Sequence, residues 1–383
     1  MVEFVGQLKD LELFEVLVSG IFLISFLVQM FYYIFFFLQI RKKRKSLPVN
    51  RKDLPKVSVI ICAKNEAENL TKNLPVVLEQ DYPSFEVVVV NDCSTDNTAD
   101  ILADFKVKYK HLKVTYINPD KKFTHGKKLA VTVGIKAAGN EYLLFTDADC
   151  FPSSDKWIET MARHFNDKKS IVLGYGGFVQ RKSFLNNIIR YDTLFIALQY
   201  LTFAMRGLPY MGVGRNLAYK KSLFFENKGF ASHNDLPSGD DDLFVNEVSS
   251  KQNTSVETSH EAHTRSEAKL SFAEWWLQKK RHLTTGGRYR AKHKFTLGME
   301  IMSRVLYYAA FIYLLIAGIL IIPVLILFFL RMVINIITMK IASTRLNEKY
   351  LLLTSLVYDF ILPIFYAGVY LSNAVNRKKY KWK

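Results

Sequence analysis

The sequence predicts an α/β fold, a Rossmann-like doubly wound sheet covered by helices, joined to transmembrane α-helices. Three observations lead there. From Pro55 onward, short β-branched or apolar runs alternate with helical segments, the pattern of parallel strands linked by crossover helices. Several of those runs end abruptly in Asn, Asp or Glu, which puts polar side chains at strand tips, where open α/β sheets bind ligands. Near both ends of the chain, long apolar segments abut clusters of Lys and Arg, as bilayer spans with cytoplasmic flanks do.

Composition agrees with two separable parts. Of 383 residues, 50% are hydrophobic, 14% aromatic and 23% charged. That is too apolar for an average soluble protein and too charged for an all-membrane one. The formal charge is +17. Its densest clusters, Arg41 to Lys45 and Arg377 to Lys383, flank apolar segments. This assigns them to membrane topology and argues against nucleic acid as a partner, which calls for a basic face with aromatic platforms. Cys62, Cys93 and Cys150 show neither metal-ligand spacing nor an even disulfide count, so they suit a reducing compartment and read as small buried residues.

In chain order, Leu11 to Ile40 is long enough to cross a bilayer, with Glu12 and Glu15 placing its start near Phe14 to Val18. The basic cluster follows the apolar run and does not precede it, so the segment reads as an uncleaved anchor, not a signal peptide. The positive-inside tendency then places the N-terminus outside and the following domain in the cytoplasm of a plasma (inner) membrane protein. Val57 to Cys62 reads as a first strand, Asn65 to Leu78 as a helix, and Phe85 to Val90 as a second strand ending in Asn91-Asp92. Ser94 to Asp96 offers caps for the next helix. Val114 to Ile117, Tyr142 to Thr146 and Ile171 to Leu173 supply further strands, with helices over Gly126 to Ala138 and Asp155 to Phe165.

Phe184 to Met205 mixes apolar residues with Asn186, Arg190, Asp192 and Gln199. It reads as an amphipathic helix on the membrane surface, with a core helix as the alternative. Gly207, Gly212, Gly214 and Gly229 surround Arg215 to Tyr219, permitting either close backbone approach to a ligand or simple turns. Ser271 to Leu283 reads as a helix. Val305 to Leu330 is expected to be one span kinked at Pro323, and Leu351 to Leu371 a last one. Three spans then return the tail Arg377 to Lys383 to the cytoplasm. The expected domains are 1–45 as anchor and basic flank, 46–300 as the cytoplasmic domain, and 301–383 as the C-terminal membrane region with two spans and a basic tail.

Polar groups gather where such a sheet presents them. Asp147 and Asp149 end the run Tyr142 to Phe145, and two hard oxygen ligands one residue apart suit Mg²⁺ or Mn²⁺ gripping a diphosphate. Asn65 and Glu66 follow the first strand. Asp92 follows the second and suits a base or ribose, or alternatively an Asx turn. Lys127 opens a helix whose N-terminus favours anions. Asp240, Asp241 and Asp242 are adjacent carboxylates that repel, so at least one has a raised pKa or a specific partner, and one of them suits a general base. Gln278 and Arg281 share a helical face with Trp275. That set fits a sugar ring or diphosphate, or else an amphipathic helix at a membrane interface.

These pieces, in order VSVIICAKNEAENL, VVVVNDCSTDNT, HGKKLAVTVGI, FTDADC, GVGRNLAYKKSLF, SGDDDLF and WWLQKKRH, resemble glycosyltransferase family 2, in its membrane-bound, inverting members with a GT-A domain. The resemblance covers about Val57 to Leu283. It implies nucleoside contacts from Asn65, Glu66 and Asp92, a DxD pair in Asp147 and Asp149 with Asp149 foremost for the metal, and the GK-motif lysine in Lys127. SGDDDLF resembles the segment that supplies the base in hyaluronan- and cellulose-synthase-like members. That alignment selects Asp241, and a different one selects Asp240. QKKRH resembles QxxRW, carried by Gln278 and Arg281, with His282 in place of tryptophan. The implied function is metal-assisted, inverting transfer of a sugar from a nucleotide-diphosphate sugar to a lipid-linked or saccharide acceptor at the membrane lipids. A processive polysaccharide synthase and a non-catalytic membrane scaffold are the alternatives.

Overall fold

A computed structural model describes residues 12–42, 50–118 and 126–375. The basic residues Lys43 to Lys45, His125 and the tail Arg377 to Lys383 lie outside the described residues.

Helix α1 (Leu13–Phe31) continues through a π turn and a 3-10 turn to Arg41. The α/β domain then runs β1 (Val57–Ala63), α2 (Ala67–Leu78), β2 (Phe85–Asp92), α3 (Thr98–Lys108), β3 (Leu112–Ile117), α4 (Lys127–Ala137) and β4 (Tyr142–Asp147). It continues with β5 (Cys150–Pro152), α5 (Trp157–Ala162), β6 (Ile171–Leu173), β7 (Gly176–Phe178), α6 (Phe184–Met205), β8 (Leu217–Lys220) and α7 (Lys221–Glu226). Next come α8 (Asp242–Val248), β9 (Thr254–Val256), β10 (Thr264–Ser266) and α9 (Phe272–His282). Three long helices follow, α10 (Ala291–Ile316), α11 (Ile321–Arg345) and α12 (Thr354–Val375).

The main sheet has strand order β3-β2-β1-β4-β8-β6-β9, and β5-β10-β7 form a second, smaller sheet. Period-two alternation sorts the side chains. Val59, Ile61, Val87, Val89 and Leu144 pack under α2, α3 and α5, while Ile60, Val88 and Phe145 pack toward α4 and α6. Gly134 lets α4 press onto the strands, since a Cβ there would lie 2.7 Å from Ile60 Cγ2. The sheet is parallel from β3 to β4 and again between β6 and β9. Strand β8 is antiparallel to both neighbours, because it enters from the glycine-rich loop after α6 and not through a βαβ crossover. The expectation of an all-parallel sheet is corrected there.

Two further expectations are corrected. Helix α6 is not a surface helix: all but a few of its side chains are buried, with Tyr200 Oη donating to the Gly174 carbonyl at 2.7 Å on the sheet side. The expected span Val305 to Leu330 is two helices. Gly318 (φ +71°) and Leu320 (φ +46°) take left-handed backbone and break it into α10 and α11, an interruption glycine permits. Among the described residues, four helices are thus long and apolar enough to cross a membrane, 13–41, 291–316, 321–345 and 354–375.

Charges within these helices are paired, as low dielectric demands. Arg331 donates to Asp359 at 2.7 Å and to Gln29 Oε1 at 2.9 Å. Tyr308 Oη donates to Asp359 at 2.6 Å, and Arg304 pairs with Glu300.

Candidate active site

The cleft lies at the C-terminal ends of β1 and β4, closed on one side by the loop before β8 and by the N-terminus of α8. Ile60, Cys62, Lys127, Asp147, Gly214 and Asp241 are among its lining residues. Lys127, in the first turn of α4, reaches across it. Its ammonium lies 2.8 Å from Asp147 Oδ1 and 3.2 Å from Asp240 Oδ2. One cation therefore ties the β4 tip to the loop before α8, two segments far apart in sequence. Burial opposes the charge on Lys127, but Asp147, Asp240 and Asp241 outweigh it and hold the ammonium well above the usual lysine range. Lys127 here neutralises carboxylates, and a phosphate in the cleft would share it.

Asp147 and Asp149 differ although one residue separates them. Burial pushes both up. For Asp147 it is overcome by Lys127, Arg215 and Arg281, so its pKa falls below the usual range. For Asp149 burial and the neighbouring Asp147 charge prevail, and its pKa rises. Oxygen atoms of both and the Cys150 Sγ lie within 4.8 Å of one another. Burial, then the two aspartates, push the Cys150 thiol well up, which disfavours the thiolate needed for ligation. The two hard carboxylates therefore fit Mg²⁺ or Mn²⁺, and a divalent cation would relieve the repulsion that raises Asp149.

Asp241 is the N-cap of α8, its Oδ1 accepting from the Asp242 N–H at 2.7 Å and its Oδ2 from the Gly214 N–H at 2.6 Å. Burial first, then Asp240 and Asp242, raise its pKa to about 7, against the opposing pull of Lys127. Glycine at 214 eases this approach, since a Cβ would sit 3.3 Å from both Asp241 Oδ2 and Lys127 Nζ and push them back. Asp242 points away from the cleft and accepts from Thr285 Oγ1 and, at 2.8 Å, from Tyr289 Oη. The three carboxylates thus have separate surroundings: Asp240 on Lys127, Asp241 at the cleft, Asp242 anchored to the segment after α9.

Asn65 sits at the exposed tip of β1 in left-handed backbone (φ +56°). Its Oδ1 accepts from the Thr95 N–H at 2.8 Å, clamping the loops after β1 and β2. Glu66 accepts from Asn69 Nδ2 at 2.6 Å, and burial raises its pKa in spite of that bond. Asp92 is fully buried at the end of β2. Gln278 is half-buried on α9, and Arg281 at its last turn bears on Asp147. Trp275 does not join them. It stacks on Phe365 of α12 with centroids 4.3 Å apart, so of the two readings of that helix, packing holds for the indole. His282 is solvent-exposed at the end of α9; the protein packed around it, then the nearby Lys279, Arg281 and Arg215 charges, lower its pKa from the usual histidine value.

Sequence reading missed one residue of the site, Arg215. It helps hold Asp147 down, donates to Ser266 Oγ at 3.3 Å, and lies over the Phe178 ring at 4.5 Å. Its position inside GVGRN, immediately after the glycine that meets Asp241, was the available signal.

Carboxylates and cations thus gather in one crevice at the tips of a mixed α/β sheet, in a chain with four helices long and apolar enough to cross a membrane. Residues 58–224 match the family described as Glycosyl transferase family 2. The chain is 32% identical over 159 residues to a poly-beta-1,6-N-acetyl-D-glucosamine synthase of Staphylococcus epidermidis, covering 40% of this chain and 37% of that one. It is 28% identical over 203 residues to the probable glycosyltransferase YdaM of Bacillus subtilis, covering 49% and 47%. The matches thus span less than half the length of these relatives. A mannosyltransferase of Pyrobaculum calidifontis, solved with GDP-Man and Mn²⁺, superposes with TM-score 0.58 at 19% identity over 91% of this chain and 99% of that one. That likeness establishes the GT-A fold.

Proposed function

We propose that this protein is a membrane-bound glycosyltransferase that moves a sugar from a nucleotide-diphosphate sugar to a lipid-linked or saccharide acceptor, with inversion. The observation that carries the reading is the pairing of two unlike carboxylate sites through Lys127. On one side, Asp147 and Asp149 form a hard-oxygen pair suited to a diphosphate-bound cation. On the other, Asp241 has a pKa of about 7 beside open cleft, matched to a general base at neutral pH.

Asp147 and Asp149 would hold a Mg²⁺ or Mn²⁺ ion, which supplies charge stabilisation for the departing diphosphate. Asp241 takes the proton of the acceptor hydroxyl as its oxygen bonds to the anomeric carbon. The bond from that carbon to the diphosphate oxygen breaks on the opposite face, so the anomeric centre inverts. Arg215 and Arg281, flanking Asp147, suit the remaining diphosphate charge. Asn65, Glu66 and Asp92, at the tips of β1 and β2, are on the side left for the nucleoside. The domain organisation supporting this is an anchor at 1–45, a catalytic domain at 46–300 facing the cytoplasm, and membrane helices beyond. The relatives named as glycosyltransferases, one of them a polysaccharide synthase, support the reaction class.

The test is nucleoside diphosphate release by the purified full chain with UDP- and GDP-sugars, Mg²⁺ or Mn²⁺, and membrane lipid extract as acceptor. Turnover is expected to need the metal and to fall at least 100-fold in Asp149→Ala. Metal-independent turnover, or an Asp149→Ala variant as active as wild type, overturns the mechanism.

A further inference from the structure

We propose that a basic cavity beside the first turns of α6 binds the phosphate headgroup of an anionic membrane lipid, as a second anion site apart from the cleft. The cavity measures about 340 Å³, within the range of small-molecule pockets. Its lining runs from Gln180 to Ser183 and adds Asn187, Arg190 and Tyr350. Among the described residues, no carboxylate lines it.

Three cations of the lining keep donors to spare. Arg190 is 3% exposed. Its Nε and Nη2 donate to Glu348 Oε2 at 2.9 and 2.6 Å, and Nη2 also to the Lys349 carbonyl at 3.0 Å. That leaves Nη1 without a hydrogen bond among the described residues. Arg181 uses only Nε, on Glu267 at 2.9 Å. Lys182 is exposed and makes no ion pair among the described residues. A guanidinium at depth with an ammonium at the mouth suits phosphate oxygens. The two carboxylates bonded to these groups already hold two cations each, Glu267 with Arg181 and Lys72, Glu348 with Arg190 and Arg265. An incoming anion therefore meets net positive charge. Ser183, Asn187 and Arg190 share one face of α6, so the helix opens on the cavity at its N-terminal end, which favours anions.

The surroundings say that the anion belongs to a lipid. Tyr350 lies in the loop between α11 and α12, two helices long and apolar enough to span. Phe184, next to Ser183, and Leu353, next to the start of α12, expose large apolar side chains there. The Phe184 ring is 6.1 Å from that of Tyr358, in the first turns of α12. Free cations beside exposed aromatic and aliphatic side chains, where two such helices meet the domain, form the pattern of a headgroup site.

Strand β7 leads from the cleft to this cavity. Phe178, under the Arg215 guanidinium, pairs with Ser266, which pairs with Cys150 beside Asp149. Two strand spacings and the two residues on to Gln180 put the cavity on the order of 15 Å from Asp149. A phosphate held there is not one that a metal at Asp147 and Asp149 would grip. A headgroup seated there instead fixes how far the cleft stands from the bilayer. The site needs the membrane setting only and does not rest on sugar transfer.

The test is melting of the full chain in neutral detergent micelles, read by tryptophan fluorescence. Three probes are added in turn: short-chain phosphatidylglycerol, short-chain phosphatidylcholine, whose own choline neutralises the phosphate, and free glycerol phosphate. Phosphatidylglycerol is expected to raise the wild-type melting temperature by roughly 5 °C at saturation, with little effect from the other two. In Arg181→Gln with Lys182→Gln, the lipid concentration giving half that rise should climb at least about tenfold. Both side chains are exposed, so melting of this variant without lipid should stay within about 2 °C of wild type. Lys106→Gln with Lys110→Gln removes the same charge at the end of α3 and should respond as wild type does. Equal responses to the two lipids, or equal losses in the two double variants, overturn the site. A rise with free glycerol phosphate that matches the rise with phosphatidylglycerol overturns the lipid as its ligand. Sugar transfer enters none of these readings, so their failure is distinct from failure of the proposed reaction.

Discussion

Replacing Asp241 by asparagine is expected to make stability, relative to wild type, climb with pH while abolishing turnover. The carboxyl has a pKa of about 7 in the fold against an ordinary value of 3.8, so the fold disfavours its ionised form. The unfolded chain releases the proton first, and stability falls as pH rises from 3.8 to about 7, then levels. Each pKa unit is worth about 1.4 kcal/mol, so between pH 4.5 and 8 the undiscounted loss is about 3 kcal/mol. Because water reaches the cleft, roughly half of that is the better expectation. Asparagine removes this pH-dependent cost. It also turns an amide N–H toward one of the two backbone donors, Gly214 or Asp242, a pH-independent penalty of about 1–2 kcal/mol. The melting temperature of Asp241→Asn relative to wild type should therefore climb by about 3–6 °C between pH 4.5 and 8. Tryptophan fluorescence of the detergent-purified full chain reads this. Turnover should fall by at least 100-fold throughout, and wild-type kcat/KM should rise through pH 7. A melting difference that is level with pH, or an active Asp241→Asn enzyme, refutes the reasoning.

Two further outcomes are expected. Lys127→Met leaves Asp147 and Asp240 without their shared cation, which should cost roughly 3 kcal/mol at neutral pH, less in acid, and abolish turnover. Melting curves at pH 5 and pH 8 check the first part, with added Mn²⁺ expected to restore some of the loss. Arg331→Met alone leaves Asp359 charged and buried, at a cost of about 3–5 kcal/mol, whereas Arg331→Met with Asp359→Leu should recover most of it. Melting of both variants in one detergent reads the coupling.

Much of the site is legible in one dimension because it sits on strand tips. A buried run such as Tyr142 to Phe145 must end where Asp147 and Asp149 begin, since unpaired carboxylates are not tolerated in a core. The adjacent acids Asp240 to Asp242 stand out by the same logic, whereas Asp92 is fully buried at the end of β2. What the residues could not declare was division of labour. Three consecutive aspartates look alike in sequence, yet Asp240 meets Lys127, Asp241 meets Gly214 and Asp242 meets Thr285 and Tyr289. Arg215 escaped for the same reason: its neighbours Asp147 and Ser266 are distant in the chain.

Periodicity is likewise a local signal, and it reported that Phe184 to Met205 is helical and apolar without saying what covers it. Sheet on one side and membrane helices on the other made it core, because helices that bury both faces need partners sequence alone does not name. Hydropathy by itself determined the two-part organisation, the sheet domain and the long apolar helices. Only the tertiary structure decided how these helices break and lie. Left-handed backbone at Gly318 and Leu320 splits one apparent span, and hydrogen bonds from α12 to Asn187 and Asp192, with one from Lys280 to α12, join that helix to the domain. Hydrophobic length measures what can enter a bilayer, while direction is set by contacts at both ends of a helix, and those join residues far apart in the chain.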